Sequence, residues 1–553
     1  MEIVKKLSSE WVSSNEILKK DQAGVETDTD RVKFGDGTKR WSELEYTSYV
    51  ELFRDSAYVA PENFGSRSDD DTEIIQAALN SGNNVYFSGE EYNVTGTLYV
   101  PSDVHIYGNG SVLNVSPEYA DSIVDVFSVG TKELNENFDI IKNVIIENLT
   151  FDVKGSVPAE SAISDDSSNE PPSVFDGGNR CFISIYDNAE NVVIENCRFN
   201  GAACCVGMYE TTVDLCPVQV TTLRRKNIVL RDIWATNVVE CLAGETDVTG
   251  VYVDNIHIET IPSARNKHAI RFNSDAENIK INNLYIKEIN SAPYIENGIF
   301  GCPFSFYKSN NGVSVQNSRP IYLSNGEIHA ANFGEASKPY EVYADNVNVI
   351  NDAHYTSMQL HIFEHYGSSI SNFNNCTFDN CIGIRSGYYT NCTFILNDCI
   401  DFLIDSVGSC ADDKEKNRTV LLDCTVDINN AATFIKLDEF GGLAGHIYDV
   451  IVKNCRINGN AIDGTCPEGS IVKFGFSTPS LHNIKISDCD FGEKFVTAFV
   501  NESSYNLSAI LGDMINVEFK RNSFNNGFVL SEGDNTDSLD TVCIFCNAGD
   551  ELI

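Results

Sequence analysis

The chain has 553 residues, of which 80 are Asp or Glu and 39 are Lys or Arg, so its net charge is −41. A surface this acidic repels nucleic acid and anionic membranes, which argues against both as general partners, although it can bind divalent cations loosely. The hydrophobic fraction of 42% and the charged fraction of 22% are typical of a folded protein.

No apolar run approaches the length of a transmembrane helix, and the first residues lack the apolar core of a signal peptide. We therefore expect no membrane insertion. We also expect the chain to be assembled in a reducing cytoplasm, where the 18 cysteines stay thiols.

Residues 1–46 form a small module with short phrases of their own. These are Trp11, ETDT (26–29), KFGDG (33–37) and WSELEY (41–46). The GDG predicts a tight turn between strands, and the tryptophans predict a minimal core. The phrases resemble the N-terminal module of phage tail fibres and tail-associated polysaccharide-degrading enzymes. That resemblance implies attachment to phage tail or baseplate proteins, and residues 47–62 are predicted to be a helical linker.

Residues 63–115 predict a capped helix followed by short strands. Asp70 is the expected N-cap with Glu73 reaching back, Gly82 ends the helix, and the strands are NVYFSG, YNVTG, TLYVP and VHIYGNG. The apolar stripe of the helix consists of Ile74, Ile75, Ala78 and Leu79. Such a helix would cover the exposed edge of a sheet.

This entry segment resembles the start of the pectate-lyase-like right-handed β-helix superfamily. The matching phrases are Asn63-Phe64-Gly65, Asp70-Asp71-Thr72, Val85-Tyr86-Phe87, Gly96-Thr97-Leu98 and Ile106-Tyr107-Gly108-Asn109-Gly110. The resemblance implies the fold and leaves the reaction open, because the superfamily includes lyases, hydrolases, epimerases and adhesins.

Residues 116–524 repeat one nine-residue phrase, with starts mostly 23 to 48 residues apart. Examples are NVIIENLTF (143–151), NVVIENCRF (191–199), NIKINNLYI (278–286) and NIKISDCDF (483–491). Apolar and polar residues alternate on both sides of an Asn or Asp, which predicts strand, sharp corner, strand. The repeat therefore predicts an all-β fold, a right-handed single-stranded parallel β-helix of about a dozen coils.

The sixth residue of each phrase is predicted to stack with its equivalents as a hydrogen-bonded ladder. The predicted ladder consists of Asn148, Asn196, Asp232, Asn255, Asn283, Asn325, Asn351, Asn375 and Asn454. The cysteines that follow a corner are predicted to stack inside the core: Cys197, Cys376, Cys392, Cys424, Cys455 and Cys489.

We predict no metal site and no cofactor, although Cys543 and Cys546 have CxxC spacing. Residues 525–553 are predicted to be a C-terminal strand or cap segment.

Candidate chemistry lies on the strand before each phrase. Alternation places Tyr186, Glu245, Arg271 and Asn273 on one outer face of neighbouring coils, with Ile270 and Phe272 inward. The predicted catalytic residues are Glu245, Arg271, Tyr186, Glu210, Asp247 and His268. The predicted substrate-binding residues are Asn273, Arg265, Lys267, Tyr209 and Tyr294. Acids with basic residues suit cleavage of an anionic sugar; the alternative is that these side chains are merely solvated.

The resemblances together imply a phage tailspike, a receptor-binding protein of the virion tail that acts at the host cell surface. The expected partner is a bacterial surface polysaccharide, and the family resemblance implies a homotrimer. The expected reaction is depolymerisation, by a glycoside hydrolase or a polysaccharide lyase mechanism. The alternative is a non-catalytic β-helical adhesin or structural tail fibre protein.

Overall fold

The computed structural model of the chain describes most of the repeat region and part of each end. The residues described are 2–20, 22–26, 32–34, 37–44, 57–115, 125–130, 140–153, 181–186, 188–201, 204–209, 225–238, 240–244, 248–260, 268–272, 276–288, 303–306, 319–330, 333–337, 340–351, 363–366, 370–381, 384, 387–396, 404–405, 418–428, 433–437, 446–458, 469–474, 480–492, 495–501, 514–515, 517–524, 529–532 and 542–546.

Two stacked tryptophans form the core of the N-terminal module. Its elements are strands Glu2–Lys6, Gln22–Glu26 and Val32–Phe34, helix Ser8–Ser14 and the 3-10 helix Trp41–Glu43. The rings of Trp11 and Trp41 are both buried, with centroids 4.2 Å apart. Lys33 Nζ donates a hydrogen bond to the carbonyl oxygen of Trp41 at 2.9 Å. The predicted tryptophan core is therefore confirmed.

The described part of the predicted helical linker is not α-helical. Residues 57–62 contain strand Tyr58–Val59 and the start of the 3-10 helix Pro61–Asn63. Val59 packs against the core, and a residue that precedes proline, as Ala60 does, disfavours helical backbone angles. The helical prediction is wrong for residues 57–60, and residues 61–62 begin a 3-10 helix. Residues 47–56 lie outside the described part of the chain.

The helix that covers the first coil spans Thr72–Leu79, and its predicted apolar stripe is confirmed by the burial of Ile75, Ala78 and Leu79. Its predicted cap is wrong by one residue, because Asp71 occupies the N-cap position. Asp70 Oδ1 instead accepts hydrogen bonds from the backbone nitrogen and hydroxyl of Thr72, at 3.0 and 2.6 Å.

The rest of the described chain is all-β. One large sheet of 27 strands contains Tyr58–Val59, Asn84–Tyr86, Glu91–Val94, Val104–Tyr107, Val112–Val115, Ile141–Glu147, Thr150–Val153, Ala189–Glu195, Arg198–Asn200, Arg225–Val238, Val248–Thr260, Ala276–Glu288, Arg319–His329, Tyr340–Ile350, Ile370–Asn374, Thr377–Asp379, Gly387–Thr390, Thr393–Leu396, Thr419–Leu422, Thr425–Ile428, His446–Lys453, Arg456–Asn458, Ser480–Ser487, Asp490–Phe491, Met514–Ile515, Val517–Phe524 and Val542–Cys546.

Two smaller sheets alternate with the large sheet along the chain. The nine-stranded sheet contains Leu98–Val100, Asp125–Val129, Cys181–Tyr186, Cys204–Tyr209, Glu240–Gly244, Ile270–Phe272, Phe304–Phe306, Gly334–Ser337 and Phe363–Tyr366. The five-stranded sheet contains Ile404–Asp405, Thr433–Leu437, Gly469–Phe474, Phe495–Asn501 and Val529–Glu532. In all three sheets each strand pairs in parallel with its equivalent one repeat later, so successive repeats stack as coils.

The predicted corner ladder is present in the large sheet. From Asn148 to Arg521, the corner residue of each described coil has a φ of about +50° to +58°. The corner amides bond to the preceding coil: Asn196 Nδ2 donates to Asn148 Oδ1 at 3.3 Å, and Asn325 Nδ2 donates to Asn282 Oδ1 at 2.9 Å. Asn tolerates this left-handed conformation better than most residues, which explains why the sequence repeats it.

One predicted corner is wrong, and one further coil turns at a residue other than Asn or Asp. In residues 346–354 the corner is Asn346, with φ +55°, whereas the predicted Asn351 is buried and donates to the carbonyl oxygen of Asn380 at 3.0 Å. In residues 516–524 the corner is Arg521, and Asn522 occupies the buried position that cysteine fills in earlier coils. The repeat therefore tolerates a shift of the asparagine along the phrase.

The predicted cysteine column is confirmed. Cys376, Cys392, Cys424, Cys455 and Cys489 are buried on consecutive coils. Each thiol points at a backbone carbonyl of the coil before it, as in the 3.4 Å contact from Cys392 Sγ to the oxygen of Phe373. Burial raises the pKa of the equivalent Cys197 to about 12. These thiols therefore serve as small core residues.

A second asparagine ladder, which the sequence analysis did not predict, occupies the first position of the phrase. Asn143, Asn191 and Asn227 also have positive φ values. Asn191 Nδ2 donates to Asn143 Oδ1 at 3.1 Å, and Asn227 Nδ2 donates to Asn191 Oδ1 at 2.9 Å. The recurring first letter of the phrase was the signal for this ladder.

Within the described residues no group of three or more His, Cys, Asp or Glu side chains could hold a metal ion. The described helices also include none that is long and apolar enough to cross a membrane.

We predict that Asn346→Ala lowers the free energy of unfolding by about 1–3 kcal/mol, because it removes the 2.8 Å hydrogen bond to Asn325 and places alanine at a left-handed position. Denaturant titration followed by circular dichroism measures this change. The control is Asn348→Ala in the same coil, which should cost under about 0.5 kcal/mol. Equal losses in the two variants would contradict a stabilising role of the ladder.

Candidate functional site

An open groove of about 690 Å³ follows the corner ladder over six coils. We call it the ladder groove. Its floor includes the corner residues Asn196, Asp232, Asn255, Asn283, Asn325 and Asn346. Its wall is formed by the residues two positions after each corner: Arg198, Trp234, His257, Tyr285, Glu327 and Asn348. The groove therefore combines amides, aromatic rings and a few charges along the direction in which the coils stack.

Strand register aligns the wall residues. Trp234 pairs with Arg198 on one side and with His257 on the other, and Tyr285 pairs with His257 and Glu327. In five of the six coils the residue directly after the corner has a buried side chain, and in the sixth it is Gly326. The next residue therefore points outward. Each corner thus places one wall side chain beside the ladder.

The central wall residues form a ring stack. The ring centroids of Trp234 and His257 lie 3.6 Å apart with an interplanar angle of 6°, and those of His257 and Tyr285 lie 4.4 Å apart at 13°. Since the ring faces cover one another, their edges face the groove. Trp234 is nevertheless 45% exposed. The stack therefore offers ring edges, including the indole of Trp234 with its N–H donor, and little open ring face between coils.

Two histidine–glutamate pairs adjoin the ring stack. His257 Nε2 lies 3.0 Å from Glu259 Oε1, and His329 Nε2 lies 2.7 Å from Glu327 Oε1. The ring of His329 also packs against that of Tyr285, with centroids 5.4 Å apart. These pairs restrain the orientation of His257 in the wall and of His329 beside it.

The ladder groove was not predicted from the sequence, although a signal for it is present. The eighth residue of the phrase is Arg in NVVIENCRF, Trp in NIVLRDIWA, His in GVYVDNIHI and Tyr in NIKINNLYI. These are consecutive coils, so the outward position after the corner carries a run of large side chains. Comparison of the eighth position between successive phrases would therefore have predicted the wall of the ladder groove.

The predicted site residues Tyr186 and Tyr209 lie in register on neighbouring strands of the nine-stranded sheet, but both are buried. Tyr186 Oη donates to Asp125 Oδ2 at 2.6 Å, and Tyr209 Oη lies 2.8 Å from Cys181 Sγ. Burial, together with the nearby Asp125, raises the pKa of Tyr186 well above its ordinary value. Neither side chain is therefore exposed, although alternation predicts that Tyr186 lies on an outer face and both are predicted site residues.

Arg271 has the predicted orientation, since Ile270 and Phe272 on either side of it are buried in the core. Its guanidinium, however, forms a two-point ion pair with the buried Glu240. Arg271 Nε lies 2.9 Å from Glu240 Oε1, and Arg271 Nη2 donates to Glu240 Oε2 at 3.0 Å. The charge that the sequence analysis assigned to an anionic sugar is thus already neutralised.

His268, a further predicted catalytic residue, is also buried, at 7% exposure. The remaining predicted site residues lie outside the described part of the chain and stay predictions: Glu210, Glu245, Asp247, Arg265, Lys267, Asn273 and Tyr294.

Solved structures of phage proteins and of a hydrolase resemble this chain at low sequence identity. The N-terminal fragment of gene product 12 of bacteriophage phi29 is 14% identical, with 90% of this chain and 75% of that chain covered and a TM-score of 0.44. Tailspike protein 3 of bacteriophage CBA120 is 9% identical, with 92% and 64% covered and a TM-score of 0.36. The endo-xylogalacturonan hydrolase of Aspergillus tubingensis is 13% identical, with 89% and 100% covered and a TM-score of 0.30.

This chain thus spans just under two thirds of the length of the CBA120 tailspike protein. No family model and no curated protein matches the sequence. At these identities and TM-scores, the resemblance to solved structures decides neither activity nor partner.

We predict that Glu240→Gln lowers the free energy of unfolding by about 3 kcal/mol, because it leaves the Arg271 charge largely buried without its carboxylate. Chemical denaturation measures the change. The control is Glu195→Gln, which breaks the more exposed 3.3 Å pair with Arg231 and should cost under about 1 kcal/mol. A smaller loss in Glu240→Gln than in the control would show that Arg271 is not held mainly by this pair.

Proposed function

We propose that this protein is a phage tailspike that binds a bacterial surface polysaccharide along the ladder groove. The supporting observation is the row of six outward side chains that run in register beside the corner ladder. Five steps at the ~4.8 Å strand spacing give a row roughly 24 Å long. A site of that length and polarity suits an extended oligosaccharide better than a small metabolite.

The proposal includes a scaffold that is a right-handed, single-stranded parallel β-helix of about a dozen coils. The parallel register of successive repeats supports it. It also includes a homotrimeric spike in the virion tail, assembled in the host cytoplasm, whose N-terminal module binds phage tail or baseplate proteins. The support for these parts is the sequence resemblance of residues 1–46 and 63–115.

We further propose that the spike depolymerises the bound polysaccharide, as a glycoside hydrolase or a polysaccharide lyase. Glu245 is the leading acid or base, with Glu210 and Asp247 as the second carboxylate. A hydrolase needs two carboxylates that flank the glycosidic bond, whereas a lyase needs one base and a group that stabilises the uronate carboxyl. Because Arg271 is paired with Glu240, the hydrolase route demands less rearrangement.

The second candidate function is a non-catalytic adhesin or structural tail fibre protein. One observation favours it: Tyr186, Tyr209 and His268, three of the predicted site residues, are buried. The ladder groove would then bind the polysaccharide without cleaving it.

We predict that Trp234→Ala weakens binding of host surface polysaccharide about tenfold or more, because the variant removes an indole edge from the groove and the ring that covers His257. Isothermal titration with polysaccharide extracted from the host measures the affinity. The control is Tyr322→Ala, since Tyr322 is 46% exposed and stacks on Tyr343 away from the ladder groove. Equal loss in both variants, or in neither, would contradict binding in the groove.

We predict that the wild-type protein shortens the host polysaccharide and that Glu245→Gln slows shortening about a hundredfold or more, since a positioned acid or base contributes that much. Size-exclusion chromatography follows chain length, and new ultraviolet absorbance from unsaturated uronate distinguishes a lyase from a hydrolase. Glu341→Gln, outside the ladder groove, is the control. Binding without any shortening would establish the adhesin in place of the enzyme.

A further inference from the structure

We propose that the ladder groove selects an uncharged polysaccharide, one that presents hydroxyl or N-acetyl groups and no carboxylate or phosphate. This inference rests on the proposed function, because it names the chemical class of the bound polymer. It differs from the sequence-based expectation of an anionic sugar. Because a lyase acts on a uronate, an uncharged polymer also leaves the glycoside hydrolase as the reaction of the proposed enzyme.

The corner amides have hydrogen-bonding capacity that the ladder does not use. An asparagine side chain carries two N–H donors and an oxygen with two lone pairs. Asn325 donates one hydrogen bond to Asn282 Oδ1 at 2.9 Å and accepts one from Asn346 Nδ2 at 2.8 Å. One N–H and one lone pair of Asn325 therefore remain for a ligand. A sugar hydroxyl, which both donates and accepts, matches that pair.

The ring stack adds groups of the same kind. The faces of Trp234, His257 and Tyr285 cover one another, so the stack presents ring edges, and the indole of Trp234, which is 45% exposed, carries an N–H donor. Neutral hydroxyl and acetamido groups can bond to such a rim without losing a counterion. The wall thus offers polar edges at the spacing of the coils.

The charges in the groove disfavour an anionic polymer. The lining contains two carboxylates, Asp232 and Glu327, and one guanidinium, Arg198, which lies at one end of the row. The formal charge of the lining is therefore +1 − 2 = −1, on a chain whose net charge is −41. Each carboxylate or phosphate of a bound polymer would face this field, and like charges brought together at a binding surface weaken association.

The test compares a uronate-containing capsular polysaccharide with the same polymer after chemical reduction of its carboxyl groups to alcohols. These two probes have the same backbone and differ in charge. We expect the reduced polymer to bind the wild-type protein about tenfold more tightly at low salt, and added salt to narrow the difference by screening. Purified neutral capsular polysaccharides should bind more tightly than phosphate-containing ones in the same assay.

A double variant, Asp232→Asn with Glu327→Gln, removes both carboxylates from the groove. Asparagine tolerates the left-handed corner, and the glutamine oxygen can still accept a hydrogen bond from His329. The double variant should raise the affinity for the uronate form relative to the reduced form, whereas Glu341→Gln should leave that ratio unchanged. Tighter binding of the uronate form to the wild-type protein, lost in Trp234→Ala, would overturn the inference and leave the proposed function standing. Binding of no polymer in either form would overturn both.

Discussion

The fold depends on one constraint that recurs in each described coil from Asn148 to Arg521: the chain must turn through a left-handed residue without losing its register. For most L-residues this conformation costs about 1–2 kcal/mol. Asparagine reduces the cost because its short amide can bond locally, and here the amide bonds to the coil before it. The same side chain thus permits the turn and aligns the turn with its predecessor.

That alignment determines what lies inside and outside each coil. In the phrase at 191–199, Val192, Ile194, Cys197 and Phe199 are buried, whereas Glu195 and Arg198 are not. Burying one such aliphatic side chain contributes about 1.5–3 kcal/mol. Repeated coil after coil, this gives a continuous core, in which the rings of Phe151 and Phe199 stack 5.1 Å apart. It also gives columns of outward side chains, one of which is the wall of the ladder groove.

The periodic features could be read from the sequence, because alternation and a corner asparagine are local signals. The buried hydrogen-bond and ion-pair partners of the predicted site residues could not be read from it. Tyr186 has the outward position that alternation predicts, but its bond to Asp125 joins residues 61 positions apart. Arg271 is neutralised by Glu240, which lies 31 positions earlier on the neighbouring parallel strand. Exposure on an outer face depends on such distant neighbours, and a single phrase carries no information about them.

Asn351 illustrates a different limit. The phrase at 346–354 contains asparagine at its first, third and sixth positions, and the spacing from the other phrases favoured the sixth. The structure turns at the first, because Asn346 then reaches Asn325 while Val347 and Val349 fill the core. Packing of the flanking valines therefore decided between asparagines that the pattern alone could not distinguish.

The corner ladder also has a direction. In the corner bonds described above, the amide of the later coil donates to the earlier coil, and an ionised aspartate has no hydrogen to donate. Asp232, Asp423 and Asp488 can therefore only accept, from Asn255, Asn454 and Arg521 in the coils that follow. Each aspartate begins a new block of the ladder, and the junction before it is not closed by a bond from its own corner side chain. The ladder is therefore divided into blocks. At the junctions between blocks the coils are joined by backbone hydrogen bonds, such as the one from Asn196 N to the carbonyl oxygen of Arg231 at 2.9 Å.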